Sequence, residues 1–168
     1  FIPSNLNDTH RKDSMVIAPF YEDHFFYDTN LVNIPKNIKN LVIEVEIGLI
    51  VNKDLEGPNV SIAEVKNSIS EISTCFEVVG GLSASLSDKG IAPFLATGAG
   101  NWGVISGESI KDFNDLNLDN LSTKLFIDNL ESTLQPLTNK PVCPFKTVTS
   151  LANNLHKVGR RVKTGELI

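Results

Sequence analysis

Glu44-Val45-Glu46 is the stretch of this chain whose residue types and spacing are best suited to chemistry. In a β-strand, residues i and i+2 point to the same face. Residues 41–51 are otherwise apolar and rich in β-branched side chains, so the two carboxylates project together from an apolar strand. Two like charges in a poorly hydrated setting repel, and one pKa rises unless a cation lies between them. A hard divalent cation, which takes oxygen ligands, is the simplest remedy. A third carboxylate, Glu77, stands in its own apolar run, Phe76-Glu77-Val78-Val79. A strand, a helix and a returning strand can bring it alongside the first two. The residues alone leave a second reading open, in which Glu44 and Glu46 face water on an edge strand.

Other chemistries find less support. Gly98-Ala99-Gly100-Asn101-Trp102-Gly103 spells G-x-G-x-x-G, but a dinucleotide fingerprint needs a strand before it, a helix after it and an acid about 20 residues on. Here Val104-Ile105 reads as a strand, and the glycines suit a loop or close packing. His10, His24 and His156 are scattered and read as structural or solvated. No Ser-His-Asp or Cys-His arrangement emerges. Two cysteines, Cys75 and Cys143, are too few for a disulfide framework or a Cys-based zinc site, and both read as buried thiols in a reducing compartment.

The elements that must position the carboxylates are legible. The strand over residues 41–51 is too apolar for one wetted face, so a central strand covered on both sides is expected. It ends at the turn Asn52-Lys53-Asp54. Ser61 and Glu64 have capping-box spacing at a helix start, and Ile62, Val65, Ile69 and Ile72 then repeat at helical spacing. Phe76-Glu77-Val78-Val79 reads as the next strand, closed by Gly80-Gly81. Short β-type pieces precede all of this, around Val16-Ile17, Phe25-Phe26-Tyr27 and Leu31-Val32. Later, Lys124-Leu125-Phe126-Ile127 and Ser132-Thr133-Leu134 flank Asp128-Asn129, a hairpin signal. A last helix starts at Pro144, with Phe145, Val148, Leu151, Leu155 and Val158 on its buried face and Gly159 at its C-terminal cap.

Composition sets the outer bounds. The chain has 168 residues, the size of one domain, with 41% hydrophobic and 21% charged residues. There is enough apolar material for a core and too little charge for disorder. No apolar run approaches the roughly 18 to 20 residues that cross a membrane, so membrane insertion is not expected. Fifteen basic and 20 acidic residues leave a net charge of -5, which argues against nucleic acid as a partner. The basic cluster Lys157, Arg160, Arg161, Lys163 reads as a solvated helix end.

Taken in order, these residues resemble a known family. Ile-Glu-Val-Glu-Ile-Gly-Leu-Ile in residues 43–50, then Lys53-Asp54-Leu55, the Val60-Ser61 helix start and Phe76-Glu77-Val78-Val79-Gly80 are similar to the fumarylacetoacetate hydrolase superfamily. Within it, the 2-keto-4-pentenoate hydratases and related 2-oxo acid decarboxylases are the nearest likeness. The resemblance extends through Cys143-Pro144-Phe145 and Lys163-Thr164-Gly165-Glu166-Leu167-Ile168. It implies Glu44, Glu46 and Glu77 as ligands of Mg²⁺ or Mn²⁺, an active-site acidic residue at Asp23, and a substrate-pocket loop at residues 98–101, with Asn101 as its substrate-binding residue. Asp23 can equally be a turn aspartate. Three carboxylates leave open positions where a 2-oxo acid can chelate the metal, which then acts as a Lewis acid.

The resemblance also implies what differs. The family carries an active-site lysine whose position would fall just before Phe1, and an Arg shortly after the third glutamate, where this chain has Gly80, Gly81 and Leu82. The family's Asp-Asn-Ala-Ser loop is replaced by Gly98-Ala99-Gly100-Asn101. Two functions follow as expectations. The first is a divalent-metal-dependent hydratase or decarboxylase acting on a 2-oxo acid such as a 2-hydroxypenta-2,4-dienoate. The second is a non-catalytic relative serving as a structural or assembly subunit. The expected fold is α+β, a mixed, curved β-sheet roll with peripheral helices, in a single domain over residues 1–168 that is cut at both ends. Association into a homo-oligomer or a larger protein assembly is expected, in the cytoplasm or the mitochondrial matrix.

Overall fold

The computed structural model describes residues 17–18, 20, 22–27, 31–36, 38, 41–80, 95, 98–118, 124–132 and 143–168. The strands are β1 (Phe25–Tyr27), β2 (Val42–Val51), β3 (Ile69–Val79), β4 (Asn101–Ile110), β5 (Leu125–Ile127) and β6 (Leu130–Ser132), and the helices are α1 (Ile62–Asn67) and α2 (Pro144–His156). The class is α+β, as expected. Four strands form an open sheet in the order β1-β4-β3-β2, and β5 and β6 form a separate hairpin. β1 runs parallel to β4, with Phe25 opposite Val104. Asn52 N–H donates to Ser68 O, and Gly80 N–H donates to Gly100 O. Each bond joins the end of one strand to the start of the next, so β2, β3 and β4 run antiparallel and the sheet is mixed.

β3 lies between β4 and β2 in the sheet, and this corrects the reading of residues 41–51 as the central strand. β2 closes the strand order, and its first residues are exposed, Val42 at 50%. Only its last residues gain a second neighbour. Leu49 exchanges backbone bonds with Ile168, and Val51 bonds to Glu166 O and accepts from Gly165 N–H. The apolar run of β2 is used at its C-terminal end, where Leu49 and Val51 are buried.

The helix read through Ile72 stops at Asn67. Its capping box forms as expected. Glu64 N–H donates to Ser61 Oγ at 3.2 Å, and Ser61 N–H donates to the Glu64 carboxylate at 2.8 Å. Ser68 then folds its hydroxyl back onto Glu64 O at 2.8 Å, while its own carbonyl is held by Asn52. Ile69 and Ile72 therefore begin a strand, for which β-branched residues are well suited. In a strand they point to opposite faces, and both are buried. The three-residue spacing of Ile69, Ile72, Cys75 and Val78 reflects two covered faces and not a helical stripe.

The chain divides into two compact units. The first is Phe1–Glu46 with Thr74–Glu108, and the second is Ile47–Ser73 with Ser109–Ile168. The second unit holds an apolar core whose members include Leu49, Val51, Leu55, Val65, Ile69, Phe145, Val148, Ala152 and Val162. Pro144 opens α2 as expected, after Cys143, which provides no side-chain cap. Leu151 and Leu155 pack against the core from half-buried positions, but Val158, expected on the buried face, lies beyond the helix and is 69% exposed. Gly159, three residues past the last helical residue His156, turns the chain with a φ of +68°, a left-handed value that favours glycine. Asn153 locks α2 to the segment before α1, accepting from Val60 N–H at 2.9 Å and donating to Val60 O at 3.1 Å. Lys66 lies over the Phe145 ring at 5.2 Å and joins the two helices again.

In the hairpin, Asp128 and Asn129 both adopt positive φ, 51° and 63°, the geometry of the type I′ turn that two-residue hairpins favour. The return strand begins at Leu130, two residues earlier than expected. Cys75 is buried, while Cys143 is only half-buried. The strand after Gly98–Gly100 is confirmed as β4, so the glycine-rich motif opens a strand and not a helix. Ile17, Leu31 and Val32 are not in strands.

The first unit is packed differently. Trp102 stacks on Phe26 with centroids 5.6 Å apart and on His24 at 5.7 Å, while Phe25 stacks on Tyr27 and meets Phe20 edge-on. Gly103 permits this. A Cβ there would fall 2.9 Å from His24 O and 3.3 Å from the Phe26 ring, so β1 can approach β4 closely only because that side chain is missing.

Candidate metal centre

Glu44 and Glu46 point the same way because they are two apart on β2, and Glu77 reaches them from the neighbouring strand β3. Each offers one carboxylate oxygen, and these oxygens all lie within 4.8 Å of one another. Glu44 and Glu77 are half-buried and Glu46 is exposed. All three belong to the first unit.

Electrostatics records the cost of this arrangement. Glu77 is raised from the ordinary 4.5 to about 7, chiefly because burial strips water from its charged form, then because Glu46 and Glu44 repel it. Glu46 is also raised, again by lost hydration first and by the Glu44 charge second. Among the described residues this is the group of three or more metal-ligating side chains that forms.

The donor set fits a hard divalent cation. It is all oxygen and all anionic, the type that Mg²⁺, Mn²⁺ and Ca²⁺ prefer. Ligand oxygens on one Mg²⁺, each at about 2.1 Å, lie roughly 3 to 4 Å apart, so small side-chain rotations close the observed spacing. Three carboxylates fill half of an octahedral shell and leave the rest for water or a substrate.

The other residues singled out by sequence fall as follows. Asp23 is exposed in the short 3-10 turn Glu22–His24 before β1 and is not part of the carboxylate group. Asn101 is the first residue of β4 and half-buried, next to the Gly80–Gly100 bond that ties the end of β3 to the start of β4. Phe1 to Asn5 and Gly81-Leu82 lie outside the described residues. The stacking of His24 and Phe26 on Trp102 was not visible in the sequence. The run Phe25-Phe26-Tyr27 signalled a strand, but nothing in it named Trp102 as its partner.

No family model matches the sequence, and no curated protein matches it. Solved structures do. The chain is similar to 4-oxalocrotonate decarboxylase from Pseudomonas putida G7, complexed with calcium and acetate, with a TM-score of 0.67 at 21% identity, over 87% of this chain and 54% of that one. The same enzyme with magnesium and adipate gives 0.65 at 20% identity, over 87% and 55%. A protein described as a fumarylacetoacetate hydrolase family member from Yersinia pestis CO92 gives 0.67 at 12% identity, over 87% and 64%. Fumarylpyruvate hydrolase from Pseudomonas aeruginosa, in complex with Mn²⁺ and pyruvate, gives 0.62 at 11% identity, over 86% and 61%. The chain spans about half the length of the decarboxylase. The chain has the fold of the fumarylacetoacetate hydrolase superfamily.

Proposed function

We propose that the chain is the metal-binding part of a divalent-metal-dependent enzyme of the fumarylacetoacetate hydrolase superfamily that acts on a 2-oxo acid, by water addition or by decarboxylation. The observation that carries this reading is the convergence of Glu44, Glu46 and Glu77 from two adjacent strands onto one point. The neighbours of the same fold add support, since they were solved with calcium, magnesium or Mn²⁺ and with small carboxylic acids.

In this reading Glu44, Glu46 and Glu77 hold Mg²⁺ or Mn²⁺. The ion supplies a Lewis acid for the oxo and carboxylate oxygens of the substrate. The protein's part is to keep three carboxylates charged and aimed at one place, which the paired strands do by fixing their backbones. Asp23 is the proposed acid beside the site and Asn101 the proposed substrate contact. Association into a homo-oligomer belongs to the same proposal.

Calorimetric titration with Mg²⁺ or Mn²⁺ tests the metal reading. Glu44→Gln combined with Glu46→Gln is expected to weaken affinity by at least about tenfold and to abolish the metal-dependent rise in melting temperature. Unchanged affinity and melting temperature in that variant would sink the metal site. Turnover of a 2-hydroxypenta-2,4-dienoate-type substrate by the full-length protein tests the activity. Bound metal without turnover favours the second reading, a non-catalytic relative serving as an assembly subunit. That reading draws on Gly80, which follows Glu77 where the family carries an Arg nearby.

A further inference from the structure

Asn52 N–H donates to Ser68 O at 2.8 Å and closes residues 52–68 into a loop that contains the turn after β2 and all of α1. An open cleft of about 290 Å³ lies inside this loop, close to the lower end of the range for small-molecule sites. Leu55, Val60 and Ser68 are buried and make its floor. Lys53 and Glu56 line it from the turn, and Glu64 and Asn67, three apart on one face of α1, line it from the helix. The cleft lies wholly in the second unit and shares no residue with the carboxylate group.

Some polar groups of the lining are committed. Asp54 Oδ1 accepts from Thr164 N–H and Thr164 Oγ1, each at 2.9 Å, and its Oδ2 accepts from Arg161 Nε at 2.8 Å. Glu64 turns Oε2 to Ser61, and Ser68 Oγ donates to Glu64 O. Four groups keep bonding capacity. Among the described residues, Lys53 Nζ and the Asn67 side-chain amide make no hydrogen bond or ion pair, and Glu64 Oε1 accepts none. Glu56 has a long contact of 3.4 Å to Arg161. The Glu64 carboxyl is held below its ordinary range first by the Ser61 N–H, and the Lys53 charge adds to this. Yet the opposite charges of Lys53 and Glu64 stay on their two walls and do not close into an ion pair.

The uncommitted groups are therefore two donors, one of them cationic, and two anionic acceptors, set around an apolar floor. A carboxylate suits Lys53 and Asn67, an ammonium suits Glu56 and Glu64, and a short aliphatic side chain suits Leu55 and Val60. A simple anion would meet the two carboxylates, and a simple amine would meet Lys53, each at a Coulomb cost. A zwitterion satisfies both signs. We propose that the cleft binds a small aliphatic α-amino acid, with its carboxylate on Lys53 and Asn67 and its ammonium on Glu56 and Glu64.

An amide-resolved NMR titration of the whole protein at neutral pH tests this. The probes are L-valine, isovalerate, which lacks the ammonium, and isobutylamine, which lacks the carboxylate. L-Valine is expected to shift the amides of Leu55, Val60, Asn67 and Ser68 saturably, with a Kd of about 1 mM for a ligand of its size. Each analogue loses one charge-assisted pair and should bind about tenfold more weakly or worse. Lys53→Gln is expected to weaken L-valine and isovalerate but not isobutylamine. Glu56→Gln is expected to weaken L-valine and isobutylamine but not isovalerate. Both residues are exposed and outside the α1 capping box, so the variants keep the fold. Isobutylamine binding as tightly as L-valine reduces the cleft to an acidic surface patch and overturns the proposal. It is equally overturned by the absence of saturable shifts up to about 50 mM L-valine, or by variants that change all three ligands alike.

Discussion

Glu77 is the residue on which most of the site's electrostatics turns. Its folded-state pKa of about 7 lies above its ordinary 4.5, so the metal-free folded protein holds a proton there that the unfolded chain releases. Stability from this group is fully present below about pH 4.5 and is lost as pH rises through about 7. Metal-free protein is therefore expected to lose urea resistance between those values, and Glu77→Gln, which cannot ionise, to flatten that part of the curve. A saturating divalent cation should invert the trend, because it favours the charged form. A pH profile of the urea midpoint, measured with chelator and with Mg²⁺, checks all three. The E-x-E spacing showed that Glu44 and Glu46 share a face, because strand periodicity is a local property. The same sequence could not show that Glu77 joins them, since that depends on how β2 and β3 pair.

At the scale of elements, capping and side-chain clamps do the positioning. Ser61→Ala removes the hydroxyl that caps α1 and is expected to cost about 1 kcal/mol. Asn153→Ala should cost more, about 1 to 3 kcal/mol, because it strands both the N–H and the carbonyl of Val60 in a partly buried position. Urea unfolding of the two variants against the parent chain gives both numbers, and a larger loss for Ser61→Ala would contradict the clamp. The capping box, the type I′ hairpin and the Pro144 helix start were readable because each is decided within a few residues. The length of α1 was not. Ile62, Val65, Ile69 and Ile72 fit a helical stripe by spacing alone, but Asn52 holds the Ser68 carbonyl from 16 positions away and turns the chain into β3.

For the whole molecule, the core of the second unit should dominate measured stability. Phe145 is buried in it, and Phe145→Ala is expected to cost about 3 to 5 kcal/mol. Phe126, on the hairpin and 57% exposed, should tolerate Phe126→Ser within about 0.5 kcal/mol. Chemical denaturation of the pair measures both, and similar losses would mean that the hairpin is covered in solution. No helix among the described residues is long and apolar enough to cross a membrane, in line with the composition.

The sequence by itself determined the local devices and the chemical type of the site. Strand periodicity put two carboxylates on one face, turn and cap residues marked where elements begin, and the ordered motifs pointed to a fold that the solved structures share. Tertiary structure decided which strand is interior, where α1 gives way to β3, and that Glu77 completes the carboxylate group. These are outcomes of pairing between segments far apart in the chain, and an apolar run or a three-residue spacing carries the same pattern whether one face or two will be covered. It also decided that the apolar cluster from Leu49 to Val162 gathers in the second unit, while the three carboxylates meet in the first.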